Sequence, residues 1–218
     1  MINIEKKFTP VRAIGSHCGT GAVMNILNYF WGTTFGVKDT FDVETLIQLG
    51  YFDWNRRPSE SEIGYFLCQM NFKVKEFVKA EKGDRKLFLK DPKAHQEKYG
   101  YTYYPLVDID EHIKKMKLLN NHKNYSLIEG IDVDIRKIIE EKSSSKSLFI
   151  LGFNYNKLYG TDFPHGGHIV VSPGFDKKSG KIILAETSPN GELVYKDFEE
   201  VLDAMEGYEF VMVISLSF

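Results

Sequence analysis

Residues 15–32 read Gly-Ser-His-Cys-Gly-Thr-Gly-Ala-Val-Met-Asn-Ile-Leu-Asn-Tyr-Phe-Trp-Gly, and the rest of the chain is organised around this stretch. Ala22, Val23, Ile26, Leu27 and Phe30 recur at helical spacing, and Gly32 supplies a stop, so a helix is expected from Gly19. Cys18 stands directly before it. A thiol at a helix N-terminus faces unpaired N–H groups and the positive end of the dipole, and both favour the thiolate. The small residues Gly19, Thr20 and Gly21 leave room for a substrate carbonyl, and the exposed N–H groups can hold an oxyanion. Cys18 also reads as a small buried hydrophobe, the usual state of a free cysteine.

Working outward, the second cysteine, Cys68, sits among Phe66, Leu67 and Met70 on a helical stretch and reads as core. The two thiols are 50 residues apart, which is no disulfide framework, and a reducing, cytoplasmic location is expected. Met1 to Arg12 holds no apolar stretch of signal-peptide length. No run approaches the roughly 20 apolar residues of a membrane span. A net charge of -2 without a basic, aromatic-interleaved tract argues against nucleic acid as a partner. The 218 residues suffice for one domain, 1–218, with its own core. The 16 Phe and 12 Tyr read as core and groove packing.

Further helices are expected over Val43–Leu49, closed by Gly50, and from Ser59 to Met70, where Ser59 and Glu62 form a capping box. Phe72, Val74 and Phe77 mark a short strand. Residues 79–126 are rich in Lys and Tyr and read as loops with a helix near 109–119, an insertion or a lid over the groove. Asp132–Lys142 is expected helical, and Ser147–Phe153 is a buried strand followed by a Gly- and Tyr-rich loop. Strands follow at His168–Ser172 and Lys181–Glu186, then a helix at Asp197–Met205 and a last strand at Phe210–Leu216. Helices first, then a mainly antiparallel sheet, is an α+β order.

A cysteine nucleophile needs a base, and the base an orienting partner. Of six histidines, His95, His112 and His122 lie in the lysine-rich middle and read as solvated. His17 adjoins Cys18, but adjacent side chains at a helix start diverge. His168 opens the apolar run Ile169-Val170-Val171 behind Gly166 and Gly167, a good place for a fixed imidazole. If 172–180 turns as a hairpin, Glu186 returns level with His168 and can hold its second nitrogen. Glu186 also reads as a strand-end partner for a lysine, and Asn190 is a second orienting candidate. His165 and His168 with Cys18 suggest zinc, but no convincing fourth ligand follows. No metal and no cofactor are expected.

In this order the features resemble the papain-like cysteine peptidases that process double-glycine bacteriocin leaders, and their stand-alone relatives. The resemblance runs through His17-Cys18-Gly19-Thr20-Gly21-Ala22, Asn25-Ile26-Leu27-Asn28-Tyr29, Ser59–Phe77, 131–152, Gly167-His168-Ile169-Val170-Val171 and Gly174-Phe175-Asp176. It implies a papain-like fold with catalytic Cys18 and His168, and Glu186 falls where the family usually has Asp. The chain departs from the family at position 12, where Arg12 replaces the oxyanion-hole Gln, and at His17, where Asp or Asn is usual. His17-Cys18, the lead-in Phe8-Thr9-Pro10 and the Tyr- and Pro-rich stretch Asn154–Pro164 look similar to the butirosin-type acyltransferase branch. That likeness implies a peptide or carrier-protein-bound acyl substrate, with transfer to an amine favoured over hydrolysis. A binding or immunity module on the same fold is the non-enzymatic reading.

Overall fold

Glycine stops and side-chain caps set the element boundaries. The computed structural model describes residues 8–12, 17–48, 58–79, 85–99, 109–130, 132–144, 146–163, 166–187, 191–206 and 210–217. Helix α1 (Cys18–Trp31) ends on Gly32 at φ 66, a left-handed conformation that glycine adopts without a Cβ penalty. A 3-10 turn (Val37–Asp39) leads into α2 (Thr40–Gln48). Helix α3 (Glu60–Gln69) opens on the expected reciprocal cap: the Glu62 N–H donates to Ser59 Oγ at 3.4 Å, and the Ser59 N–H to Glu62 Oε2 at 2.7 Å.

The remaining elements are β1 (Phe72–Lys79), α4 (Arg85–Lys90), α5 (Pro92–Tyr99), α6 (Ile109–Asn120), β2 (Tyr125–Gly130), α7 (Ile135–Lys142), β3 (Ser147–Asn154), α8 (Tyr155–Tyr159), β4 (Gly167–Asp176), β5 (Lys181–Glu186), β6 (Glu192–Asp197), α9 (Phe198–Ala204) and β7 (Phe210–Leu216). The strands form one seven-stranded sheet in the order β2-β1-β7-β3-β4-β5-β6. Only β1 and β2 pair in parallel; the other neighbours are antiparallel. This is the α+β architecture expected from the sequence: helices carrying the cysteine against a mainly antiparallel sheet.

Strand alternation splits the core in two. Leu148, Ile150, Val171, Ala185, Met212 and Ile214 pack with α1, α2, α3 and Leu119 of α6. Phe149, Leu151, Phe153, Val170, Ile182, Leu184 and Val211 pack with α7, α8 and α9. The sheet is covered on both faces, which is why its central strands read as continuous apolar runs.

Several expectations need correction. Helix α7 starts at Ile135, not Asp132, because Asp134 is its N-cap and accepts from the Lys137 N–H at 3.0 Å. The Tyr-rich stretch after Phe153 is the short helix α8 and not wholly loop. Helices α4 and α5 and strands β2 and β6 had no clear periodic signal. His95 is buried against Phe88, with ring centroids 5.5 Å apart. His112 meets Phe88 at 5.5 Å and Ser59 Oγ at 3.3 Å, and the His122 ring lies edge-on to Tyr65 at 6.1 Å. None of the three is merely solvated: each closes a gap within or beside the helices of residues 85–120. Leu119 is fully buried, so α6 is part of the core. Gly50 lies outside the described residues.

A buried ionic clamp holds the start of α4 to β1 and β2. Arg85 donates from Nη2 to Glu76 Oε1 at 2.6 Å and from Nη1 to Glu76 Oε2 at 3.1 Å, and Tyr125 bonds both partners. The Arg85 and Glu76 side chains are 13% and 3% exposed, so removing one leaves a buried, uncompensated charge. Arg85→Met is therefore expected to lower unfolding stability by about 3 kcal/mol in urea denaturation; an unchanged midpoint would show that the clamp carries no net stability.

Candidate active site

Three elements bring Cys18, His168 and Glu186 together. Cys18 is the first residue of α1, whose N-cap His17 makes no side-chain cap. The first N–H groups of the helix are therefore left for other acceptors. The Gly19 N–H bonds the Cys18 sulfur, as does the Ile169 N–H on β4. A Cβ on Gly19 would lie 2.9 Å from Ile63 Cδ1, so the tip of the Ile63 side chain would have to shift to admit one. His17 turns to α2 and pairs through Nδ1 with Glu44, so it is no base for Cys18.

His168, at the start of β4, hydrogen-bonds Cys18 and sets Nε2 2.9 Å from Glu186 Oε2. With Nε2 so engaged, Nδ1 is the nitrogen that meets the sulfur. The imidazole lies edge-on between Phe153 and Tyr155, at centroid distances of 5.4 and 5.1 Å. The His168 and Glu186 side chains are 8% and 2% exposed, so their pairing is little screened by water.

Glu186 is not level with His168. Val171 pairs with Ala185, and one step further along that register sets Glu186 opposite Val170, with His168 its diagonal neighbour on the same face. The face itself depends on a bulge. Gly174 pairs with Ile183, so Ser172 and Pro173 on β4 together oppose Leu184 alone. Continuing the Gly174–Ile183 register without the extra residue would set Glu186 opposite Val171, on the face away from His168. Four features hold the bulge. Pro173 has no N–H to place in the ladder. Ser172 Oγ accepts from the Gly174 N–H at 3.1 Å, and Ser143 Oγ accepts from the Phe175 N–H at 3.1 Å. Gly174 has φ 131, and a Cβ there would meet Ser143 Oγ at 2.8 Å.

The electrostatics follow from this packing. Burial pushes the Cys18 thiol up, but its hydrogen bond with His168, the imidazolium charge and the two N–H groups outweigh that, and its pKa falls below that of an ordinary thiol. Burial works against the His168 imidazolium, yet Cys18 and Glu186 raise its pKa to about 10. Both shifts favour a thiolate–imidazolium pair over the neutral thiol and imidazole. Cys68 lies in the core, and burial pushes its thiol up to about 12, which makes it inert.

Tyr159 is a site residue the sequence reading passed over. Its hydroxyl donates to Glu186 Oε1 at 2.7 Å. The signals that mark its helix were present: Asn154 caps α8 by accepting from the Lys157 N–H, and Gly160 closes it at φ 64. Arg12 is exposed, and its backbone packs where a Cβ on Gly191 would lie. Its segment, with Phe8, Asn25, Tyr29 and Phe35, lines a cleft of about 480 Å³ along α1. His165 and Asn190 lie outside the described residues. Both ring nitrogens of His168 are taken by Cys18 and Glu186, and no group of three or more metal-ligating side chains occurs among the described residues. No helix among them is long and apolar enough to cross a membrane.

No protein-family model matches the chain. No curated protein matches it either. Among solved structures, the peptidase domain of Streptococcus ComA, a bifunctional ABC transporter involved in a quorum-sensing pathway, is similar over 96% of this chain and 98% of that one, at 10% identity and a TM-score of 0.47.

Three outcomes are expected in solution. Iodoacetamide should label Cys18 with a rate that rises below the ordinary thiol range and changes again as His168 deprotonates near pH 10, while Cys68 stays sluggish. In His168→Ala the first limb should move up, since burial is then opposed only by the Gly19 and Ile169 N–H groups. Gly174→Val should slow Cys18 labelling at pH 6 by about tenfold or more by displacing the bulge, an effect of about 1.4 kcal/mol; labelling at the wild-type rate would separate the bulge from the site.

Proposed function

We propose that this chain is a papain-like cysteine enzyme that carries an acyl group on Cys18 and passes it to an amine. The single observation that supports this most is the hydrogen-bonded series Cys18, His168, Glu186, with the sulfur at an uncapped helix N-terminus. The Cys18 thiolate adds to the carbonyl carbon of the donor. The tetrahedral oxyanion collapses, the bond to the leaving thiol or amine breaks, and the His168 imidazolium protonates that group. An incoming amine or water then attacks the acyl thioester, its proton passes to His168, and the Cys18 thiolate is released. Glu186 keeps the imidazole oriented and stabilises its charged form. N–H groups in the first turn of α1 take the oxyanion, which suits a chain with exposed Arg12 where the similar peptidases carry Gln.

Transfer from a thioester donor, such as an acyl group on a carrier protein, is favoured by Arg12 and by His17, which pairs with Glu44 and leaves Cys18 to His168. Peptide hydrolysis of the leader-processing type uses the same steps with water as acceptor. A chromogenic thioester with a panel of amines, assayed beside peptide substrates, distinguishes the two. Cys18→Ala should abolish turnover, and Glu186→Gln should lower kcat by about 100-fold or more with little change in KM. Full activity of Cys18→Ala in both assays would sink the mechanism, and Cys18 labelling no faster than Cys68 would favour a binding module.

A further inference from the structure

The carboxylate that orients His168 has a second oxygen, and that oxygen is occupied. Glu186 Oε2 meets His168 Nε2 at 2.9 Å, while Oε1 accepts the Tyr159 hydroxyl at 2.7 Å. We propose that Tyr159 is a positioning residue for the Cys18–His168 pair, its hydroxyl pinning Glu186 so that the carboxylate holds the imidazole against the sulfur. The inference rests on the triad reading above and adds a fourth member to it.

The strand geometry creates the need. His168 and Glu186 are diagonal neighbours, farther apart than a directly opposed pair, and the longer glutamate side chain spans the gap. That length carries an extra rotatable bond, which a single hydrogen bond to His168 leaves underdetermined. A second bond on Oε1 fixes the carboxylate plane. It also satisfies an acceptor that is shut off from water, since Glu186 is 2% exposed.

Helix α8 is built to deliver that bond. The Asn154 cap and the Gly160 stop confine it to Tyr155–Tyr159, so Tyr159 is its fixed last residue. Tyr155, one turn earlier, packs edge-on to the His168 ring at 5.1 Å and lies 4.5 Å from the Tyr159 ring. One helical turn therefore touches both the imidazole and its carboxylate. On the other side of α8, Lys157 bonds Asp203 and Glu206 at 2.9 Å each, which ties the helix to α9 and the turn after it.

The charged and titratable groups around the hydroxyl keep it a donor. Burial, then the charge and hydrogen bond of Glu186, then Tyr155 on α8 and Glu192 on β6 all hold the Tyr159 proton on. Lys196 on β6 places its ammonium over the Tyr159 ring, 4.7 Å from the centroid.

The test is the pH profile of Cys18 alkylation by iodoacetamide, which needs no substrate, in the wild type, Tyr159→Phe, Glu186→Ala and the double variant. If Tyr159 positions Glu186, the loosened imidazole stabilises the thiolate less. The ionisation limb of Tyr159→Phe then moves up, and labelling at pH 6 falls about tenfold, in keeping with loss of a hydrogen bond to a charged acceptor. In the Glu186→Ala background the same change should alter the rate by less than about twofold, because the residue acts through Glu186. A Tyr159→Phe profile that coincides with wild type, or an equal loss in both backgrounds, overturns the inference and leaves the triad standing. A wild-type Cys18 that labels no faster than Cys68 overturns the triad itself. Circular dichroism checks that the variants are folded. Should Tyr159→Phe fail to fold, 3-fluorotyrosine at position 159 keeps the ring and changes only donor strength. A shifted limb then supports the proposal, and an unmoved limb rejects it.

Discussion

The pairing of β4 with β5 carries one residue more on the β4 side, between Val171 and Gly174, and the site depends on that residue. Side chains alternate across a strand, so a single-residue slip decides whether Glu186 and His168 share a face of the sheet. Ser172, Pro173 and Gly174 place the slip, and Ser143, beyond the end of α7, braces it from outside the hairpin. The geometry of Cys18, His168 and Glu186 is thus referred to a backbone irregularity several residues from the His168 ring. A bulge can be held this way because its unpaired groups find fixed partners in neighbouring hydroxyls.

Around that register the two cores have different tasks. The core on the α1 side buries Ala22, Val23, Ile26 and Leu27, and so holds the helix that carries Cys18. The core on the α9 side surrounds Val170 and Leu184, the neighbours of His168 and Glu186 on their own strands, and includes Phe153 against the imidazole. Cys18 and His168 are carried by separate packed layers that meet at one end of the sheet. Burial there has two consequences. It strengthens the imidazolium–carboxylate interaction, and it raises the cost of any polar atom without a partner, so Glu186 has both oxygens bonded.

The long elements were legible because their signals are local. Helix α1 has a 3.6-residue apolar period and a glycine stop, α3 has its capping box, and β5 and β7 fall on the expected residues as short apolar runs. The elements that escaped have weak local signals. Helix α8 is five residues long, too short to show a period, and is defined by a cap and a stop rather than by apolar spacing. Strand β6 lies at the edge of the sheet, with charged residues at both ends and half its positions open to solvent. His95, His112 and His122 sit in lysine-rich sequence and looked solvated; the folding of α4, α5 and α6 turns their rings toward Phe88 and Tyr65. Sequence composition around a residue does not report which face of a helix it occupies.

By itself, the sequence determined the helix that follows Cys18, the apolar strand behind His168, the strand ending at Glu186 and the α+β order of the whole, since each follows from periodicity, caps and turn residues within a short window. Only the tertiary structure decided that Glu186 meets His168 on the diagonal, that His17 turns away to Glu44, and that Tyr159 holds the second oxygen of the carboxylate. Those outcomes depend on strand register and on contacts between residues far apart in the chain. A bulge of one residue decides which face Glu186 takes while leaving every local pattern as it was.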